Sequence, residues 1–214
     1  MNEMNEFTMS GYFDIISQKI RDIMLRPENN VLTYDILDTE KSKTNKLIAL
    51  KEKQRQMKVG EIWQVVLGNY RGFIDLKIGH ETGLDILSHT KKIAIELKNR
   101  TNTDNASSKK SNLDKLANFK IKNPEYTCIY ANINADTESK TLLGHIKPII
   151  HNGIELEHHV GREFLKYMLG DDTDTILDFV KTTIDACTDV SAPTSLPTSL
   201  PNPPDLRSYR FASS

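Results

Sequence analysis

The stretch with the fewest ways to fold is "KIAIELK", residues 92–98. Apolar and polar positions alternate one by one, the two-residue period of a strand whose side chains point to opposite faces. Ile93, Ile95 and Leu97 line one face and give the strand a reason to be buried. Ala94, Glu96 and Lys98 line the other, where an acid and an ammonium two residues apart need a separate explanation. Just upstream lies a second apolar run, "GLDIL" at 83–87, joined to the first by the polar turn "SHTK". The two predict an antiparallel hairpin. A turn of even length sets Asp85 opposite Ala94 and diagonal to Glu96, at the roughly 7–8 Å backbone separation from which two carboxylates reach one cation. Leu84 and Ile86 then join the apolar face, and small Ala94 leaves room beside Asp85. A turn of odd length flips Asp85 to the wrong face unless a bulge corrects it.

Two carboxylates and an ammonium on one face suit a particular chemistry. Hard oxygen ligands with open positions fit Mg²⁺, which keeps waters and binds phosphates. Phosphodiester hydrolysis needs charge neutralised on the scissile phosphate, a polarised water, and a group that holds the water in line. Asp85 and Glu96 are the candidate metal ligands, with the Leu97 backbone carbonyl as a further one, and Lys98 is the candidate for orienting or deprotonating the water. The acid-any-Lys pattern alone is weak, because it recurs at Asp75-Leu76-Lys77 and Glu138-Ser139-Lys140. The last falls in a polar turn, and the first lacks an Asp placed in a preceding hairpin. Only the middle copy combines an apolar strand, an upstream acid and a basic loop afterwards. Its competing reading is a solvent-screened Glu and Lys on a half-buried strand.

A chain of 214 residues, 38% of them hydrophobic, is long enough for one core. No apolar run approaches the roughly 20 residues of a membrane span. The start, "MNEMNEFTMSGYF", lacks the basic and then apolar blocks of a secretion signal, so an intracellular, cytoplasmic protein is the expectation. Cys128 and Cys187 make no disulfide framework, and Cys128 sits in the apolar run "YTCIYANI" as a buried reduced thiol. The net charge of -1 hides a division: residues 41–58 carry seven Lys/Arg against one Glu, and 91–122 carry nine against three acids. Such blocks let a nearly neutral protein present a positive face to phosphates; the alternative is ordinary solvated Lys-rich helices.

Helical patterning spans Asp14 to about Leu25, stopped by Pro27, and again about 44–67. "GFIDLKI", "GLDIL", "KKIAIELK" and "YTCIYANI" read as strands, with a helix at 108–121 between the last two. "LLGHIKPII" is an edge strand, the place that tolerates Pro148. "REFLKYML" and "DTILDFVKTTID" are helices. The expectation is thus an α/β (α+β) mixed sheet in one domain over 1–187, with N-terminal helices at about 12–67, a catalytic sheet at about 72–135 and C-terminal helices at about 158–187. From 188 the repeated "PTSLP" predicts a disordered Pro/Ser-rich tail.

With these residues in place, "GLDIL…IAIELK" resembles the PD-(D/E)xK nuclease motif, with Gly83-Leu84-Asp85 standing for Pro-Asp. The continuation "ELKNRTNTDNASSKKSNLDKL" resembles a subset of type II restriction endonucleases that includes enzymes cutting GGNCC-like sites. The resemblance covers roughly 60–122. It implies a restriction-endonuclease-like αβββαβ core, Asp85, Glu96 and Lys98 as the catalytic set, Glu61 as an accessory metal ligand on the helix before the sheet, Mg²⁺ as cofactor, and a homodimer cutting both strands of duplex DNA. An ordinary helix Glu is an equally good account of Glu61.

In the loop after the strand, Asn99, Arg100, Asn102, Asn105, Ser107 and Ser108 are short donors and acceptors plus one fork-shaped cation, suited to phosphates and base edges. Ser107 or Ser108 is a candidate helix cap. Lys109 and Lys110 then fall in the first turn, unfavourable by the helix dipole unless a phosphate lies nearby. Lys51, Lys53 and Arg55 are candidates for clamping the DNA backbone. His158-His159 lacks a third metal ligand and reads as surface or helix-start histidine, Trp63 reads as core, and His80, Glu81 and His89 flank the hairpin without a pattern. The leading expectation is a Mg²⁺-dependent restriction endonuclease. A structure-selective or repair nuclease, a nucleic-acid-binding protein without catalysis and a structural protein are its rivals.

Overall fold

The short apolar runs become a sheet because helices cover it on both sides. The computed structural model describes residues 7–27, 31–77, 79–100, 105–134 and 144–190, without the side chains of 100, 189 and 190. In chain order come α1 (Met9–Met24), α2 (Glu40–Gly68), β1 (Ile74–Asp75), β2 (Ile86–Ser88), β3 (Ile93–Arg100), α3 (Ala106–Lys122) and β4 (Thr127–Asn134). They are followed by β5 (His145–His151), β6 (Ile154–Val160), α4 (Gly161–Leu169), a single 3-10 turn (Gly170–Asp172) and α5 (Thr173–Val190). The sheet order is β1-β2-β3-β4-β6-β5. The pairs β3–β4 and β4–β6 are parallel and the rest antiparallel. A parallel pair cannot be joined by a tight turn, so α3 carries the chain back from the end of β3 to the start of β4. The segment α2-β1-β2-β3-α3-β4 is the αβββαβ order expected.

Each face of the sheet has its own core. Ile86, Ile93 and Ile95 pack with Ile16, Ile20, Ile62, Val66, Phe164 and Ile176, which come from α1, α2, α4 and α5. On the other face Leu84, Leu87, Ala94, Tyr130 and Leu156 pack with Leu116 of α3. The expectation of one apolar and one polar face is therefore corrected: the second face is a core at its Ala94 end and polar only from Glu96 onward. Leu84 belongs to this second core, because the chain bends between it and Ile86.

Other boundaries shift for physical reasons. The turn Asn152-Gly153 has positive φ at both residues (50° and 77°), the twist-matched geometry of a two-residue hairpin, and it creates β6. His158 and His159 thus lie in a strand, and the C-terminal helices begin at Gly161 instead of 158. The sheet runs to Val160, beyond the expected 135. β5 is an edge strand carrying Pro148, as expected. α5 passes through 188 to Val190, so the predicted tail cannot begin at 188, and 191–214 lie outside the described residues. Cys128 and Cys187 are buried free thiols, and burial pushes that of Cys128 up to about 11. Among the described residues no helix is long and apolar enough to cross a membrane.

Candidate active site

The strand pairs Ile86↔Ile95, Leu87↔Ala94 and Ser88↔Ile93 leave a four-residue turn at 89–92. The turn is even, as the alternation requires, but one step shifted: continuing this register places Asp85 beside Glu96 and not Ala94. Asp85 itself twists out of the strand. Its N–H donates to the Ile95 carbonyl (3.1 Å), its carbonyl accepts from Leu76 N–H (2.9 Å), and its Oδ2 accepts from Leu97 N–H at 2.7 Å. Gly83 makes this bend possible, with a φ of +65° that a proline ring excludes. Gly68 brings β1 against α2, since a Cβ there would lie 2.7 Å from the Asp75 Cα.

Asp85, Glu96 and Lys98 converge. Lys98 Nζ donates to Glu96 Oε1 at 2.7 Å. Burial pushes the Glu96 carboxyl above its ordinary range, the neighbouring Asp85 charge adds to this, and Lys98 and Lys115 oppose it. Burial likewise raises Asp85, against the Leu97 N–H, Lys98 and Lys115. Glu96 is 2% exposed, and its Oε2 is buried without a hydrogen-bond partner. An orphaned buried carboxylate oxygen is costly unless a ligand completes it. In a strand the N–H and C=O of one residue point the same way, so the Leu97 carbonyl faces the side on which its N–H meets Asp85. The donor set (the remaining Asp85 oxygen, Glu96 Oε2 and the Leu97 carbonyl) fits a hard divalent cation with open positions. No group of three or more His, Cys, Asp or Glu gathers for a metal among the described residues, so this is an open two-carboxylate arrangement and not a closed cage.

The other expected residues fare unevenly. Glu61 is not brought to the carboxylates: its two oxygens take the Arg26 guanidinium at 2.8 and 3.0 Å. Asn99 ties strands together, its carbonyl and Oδ1 each accepting from Asn134 Nδ2 at 2.9 Å. The side chain of Arg100 and all of Asn102 lie outside the described residues. Asn105, not Ser107 or Ser108, caps α3, accepting from Ser108 N–H at 2.8 Å. The cap falls at Asn105 because the helix begins at Ala106, two residues before the expected 108, and the Asn105 side chain reaches forward to the N–H of the third helical residue. Ser107, Ser108, Lys109 and Lys110 are exposed in the first turn, with Lys110 on Asp114 (3.3 Å) and Lys109 over the Tyr130 ring. Lys51, Lys53 and Arg55 are exposed on α2, but Lys53 projects away from the side shared by Lys51 and Arg55, and Arg55 pairs with Glu52 at 3.0 Å. Lys46 holds Asp38 at 2.6 Å and Lys58 holds the Met24 carbonyl at 2.9 Å, so part of the basic block serves the fold.

Several residues at the site were not foreseen. Gln64 Nε2 donates to Asp75 Oδ1 at 3.0 Å, and the Asp75 charge reaches Asp85. Lys115 of α3 stands 3.9 Å from Glu96 Oε1. On the same sheet face, Tyr130 is in register with Glu96 and with His158, and Asn132 is in register with Lys98. His158 Nε2 meets Asn132 Oδ1 at 2.8 Å, and its Nδ1 meets His145 Nε2 at 3.2 Å. His159 is fully buried on the opposite face beside Glu157, contrary to the surface reading. The signal for the histidine row was the Asn-Gly turn, which turns "IELEHHV" into a strand. Nothing local signals Lys115.

A mixed sheet between helices, with two acids and an ammonium at the mouth of its central hairpin, defines a restriction-endonuclease-like α+β fold. The family model of the Eco47II restriction endonuclease matches residues 10–152. That is about two-thirds of the chain and holds Asp85, Glu96 and Lys98, and the chain belongs to this family. It is therefore a nuclease of the type II restriction class acting on DNA. No curated protein matches the chain.

Proposed function

We propose that the chain is a Mg²⁺-dependent endonuclease that cuts duplex DNA at a short specific sequence, working in the cytoplasm as a homodimer. One observation carries the reading: Glu96 Oε2 is buried without a partner while Asp85 and Lys98 converge on the same carboxylate. Asp85, Glu96 and the Leu97 carbonyl would hold Mg²⁺, which supplies Lewis-acid polarisation of the scissile phosphate. Asp85 holds its carboxylate in place by accepting from Leu97 N–H, so the ligand set is preorganised by the strand backbone. Lys98, anchored on Glu96 Oε1, orients the attacking water in line with the leaving oxygen, and its neutral amine form would accept the water's proton. The exposed first turn of α3, together with Lys51 and Arg55 on one side of α2, offers cations to the DNA backbone. One site per chain cuts one strand, so two copies cut a symmetric target.

The test is incubation of plasmid with protein and Mg²⁺, read on a gel. Discrete fragments are expected. A smear or nicks alone point to a structure-selective or repair nuclease, and retarded but intact DNA to a binding protein without catalysis. Either result removes the restriction reading.

A further inference from the structure

We propose that Lys115 and the cleft it opens into hold the sugar–phosphate strand of the DNA beside the cut, a subsite that rests on the nuclease reading above. The cleft, about 690 Å³, lies between α3, the β1–β2 loop and the hairpin turn. Lys115 belongs both to it and to the carboxylate pair. Its methylenes run past Gly83, where a Cβ would meet the Lys115 Cδ at 3.5 Å. Its ammonium is 3.3 Å from Asn112 Oδ1 and 3.9 Å from Glu96 Oε1.

Lys98 already supplies the short bond to that oxygen. Lys115 at 3.9 Å is too far for a hydrogen bond, its side chain stays 41% exposed, and an ammonium has three donors to place. A cation needed only to neutralise Glu96 would sit closer and drier. With Asp85, Glu96, Lys98 and Lys115 the site is electrically balanced, so a divalent cation leaves it positive toward a phosphate.

The cleft continues this positive character along α3. Asn118 and Lys122 follow Lys115 at three and seven residues, the spacing of one helical face, and both line the cleft. Neither side chain has a hydrogen-bond or ion-pair partner among the described residues. Two turns separate the Cα atoms of Lys115 and Lys122 by about 10.5 Å along the helix axis, comparable with the axial rise of about three nucleotides at ~3.4 Å each. Across the cleft His80 and His89 are held by their Nδ1 atoms, on Thr82 Oγ1 (2.9 Å) and Tyr126 Oη (2.8 Å), with each Nε2 left for a ligand. One acid, Glu81, also lines the cleft and is exposed. The half-exposed Lys115, the unpartnered Lys122 and two imidazoles at one end of the catalytic carboxylates match a phosphate-bearing strand better than an apolar or cationic ligand.

The experiment measures binding of a fluorescent mixed-sequence duplex across a salt series, without Mg²⁺, for wild type, Lys115→Ala, Lys122→Ala and Lys122→Arg. Each Ala variant is expected to lower the slope of log K against log salt by about 1, with Lys122→Arg keeping the wild-type slope. In Mg²⁺, Lys115→Ala is expected to cut about 10²-fold more slowly, as removal of one charge-stabilising donor does. Wild-type binding with the same slope in both Ala variants overturns the subsite while leaving the nuclease reading standing. A wild type that neither binds nor cuts overturns both.

Discussion

Two copies of one local pattern, Asp75-Leu76-Lys77 and Glu96-Leu97-Lys98, meet different fates. Asp75 is on a two-residue edge strand, and both its oxygens are used, one by Gln64 and one by Lys77. Lys77 is 71% exposed although the Asp75 side chain is only 5% exposed, so the pair is open to water on its lysine side. Glu96 is on the eight-residue third strand of the sheet, its Lys98 partner is 23% exposed, and one of its oxygens is left without a partner. Local spacing puts an ammonium beside a carboxylate in both. Both carboxylates are buried, and position in the sheet decides which one keeps an oxygen without a partner; a buried, half-satisfied carboxylate has affinity to spare for a cation.

The largest test of this contrast is activity. Glu96→Ala and Lys98→Ala are each expected to slow DNA cleavage by about 10²–10⁴-fold, whereas Asp75→Asn stays within about tenfold. Equal losses in single-turnover assays would break the distinction between the copies. A second test reads stability. The Asp85 carboxyl is raised, so the fold holds its proton longer than the unfolded chain does, and at neutral pH the buried charge opposes folding. Asp85→Asn keeps an acceptor for Leu97 N–H and removes that charge. Its Tm at pH 7 is expected to rise by about 2–4 °C, the shift that roughly 1 kcal/mol gives a chain of this size. Added Mg²⁺ is expected to raise the wild-type Tm but not that of Asp85→Asn or Glu96→Gln.

The smallest effect concerns the far end of the same row. Burial, then His145, Lys109, Lys147 and His159, push His158 down from 6.5 to about 4. Between these values the unfolded chain binds the proton and the fold does not, so stability is present above pH 6.5 and lost as pH falls toward 4. His158→Asn is expected to flatten stability measured by denaturant across that window. A slope unchanged by the substitution would show that His158 is not the titrating group.

Much of the site was legible because it depends on neighbours in sequence. Alternation in "KIAIELK" makes Glu96 and Lys98 share a face whatever surrounds them, and an even turn returns Asp85 to it. Glu61 shows the limit: its place on α2 was read correctly, but the Arg26 fork that claims it comes from just beyond the end of α1. Asn105 instead of Ser108 as cap is a smaller miss of the same kind, decided by where α3 begins.

The sequence by itself determined the strand, its two faces and the even hairpin, because side-chain alternation and turn length are properties of adjacent residues. Only the tertiary structure decided that Gln64, Asp75, Lys115 and Asn132 stand around those three groups. Their places follow from Gly68 letting α2 touch β1, from the crossover of α3, and from strand register, all of which join residues far apart in the chain.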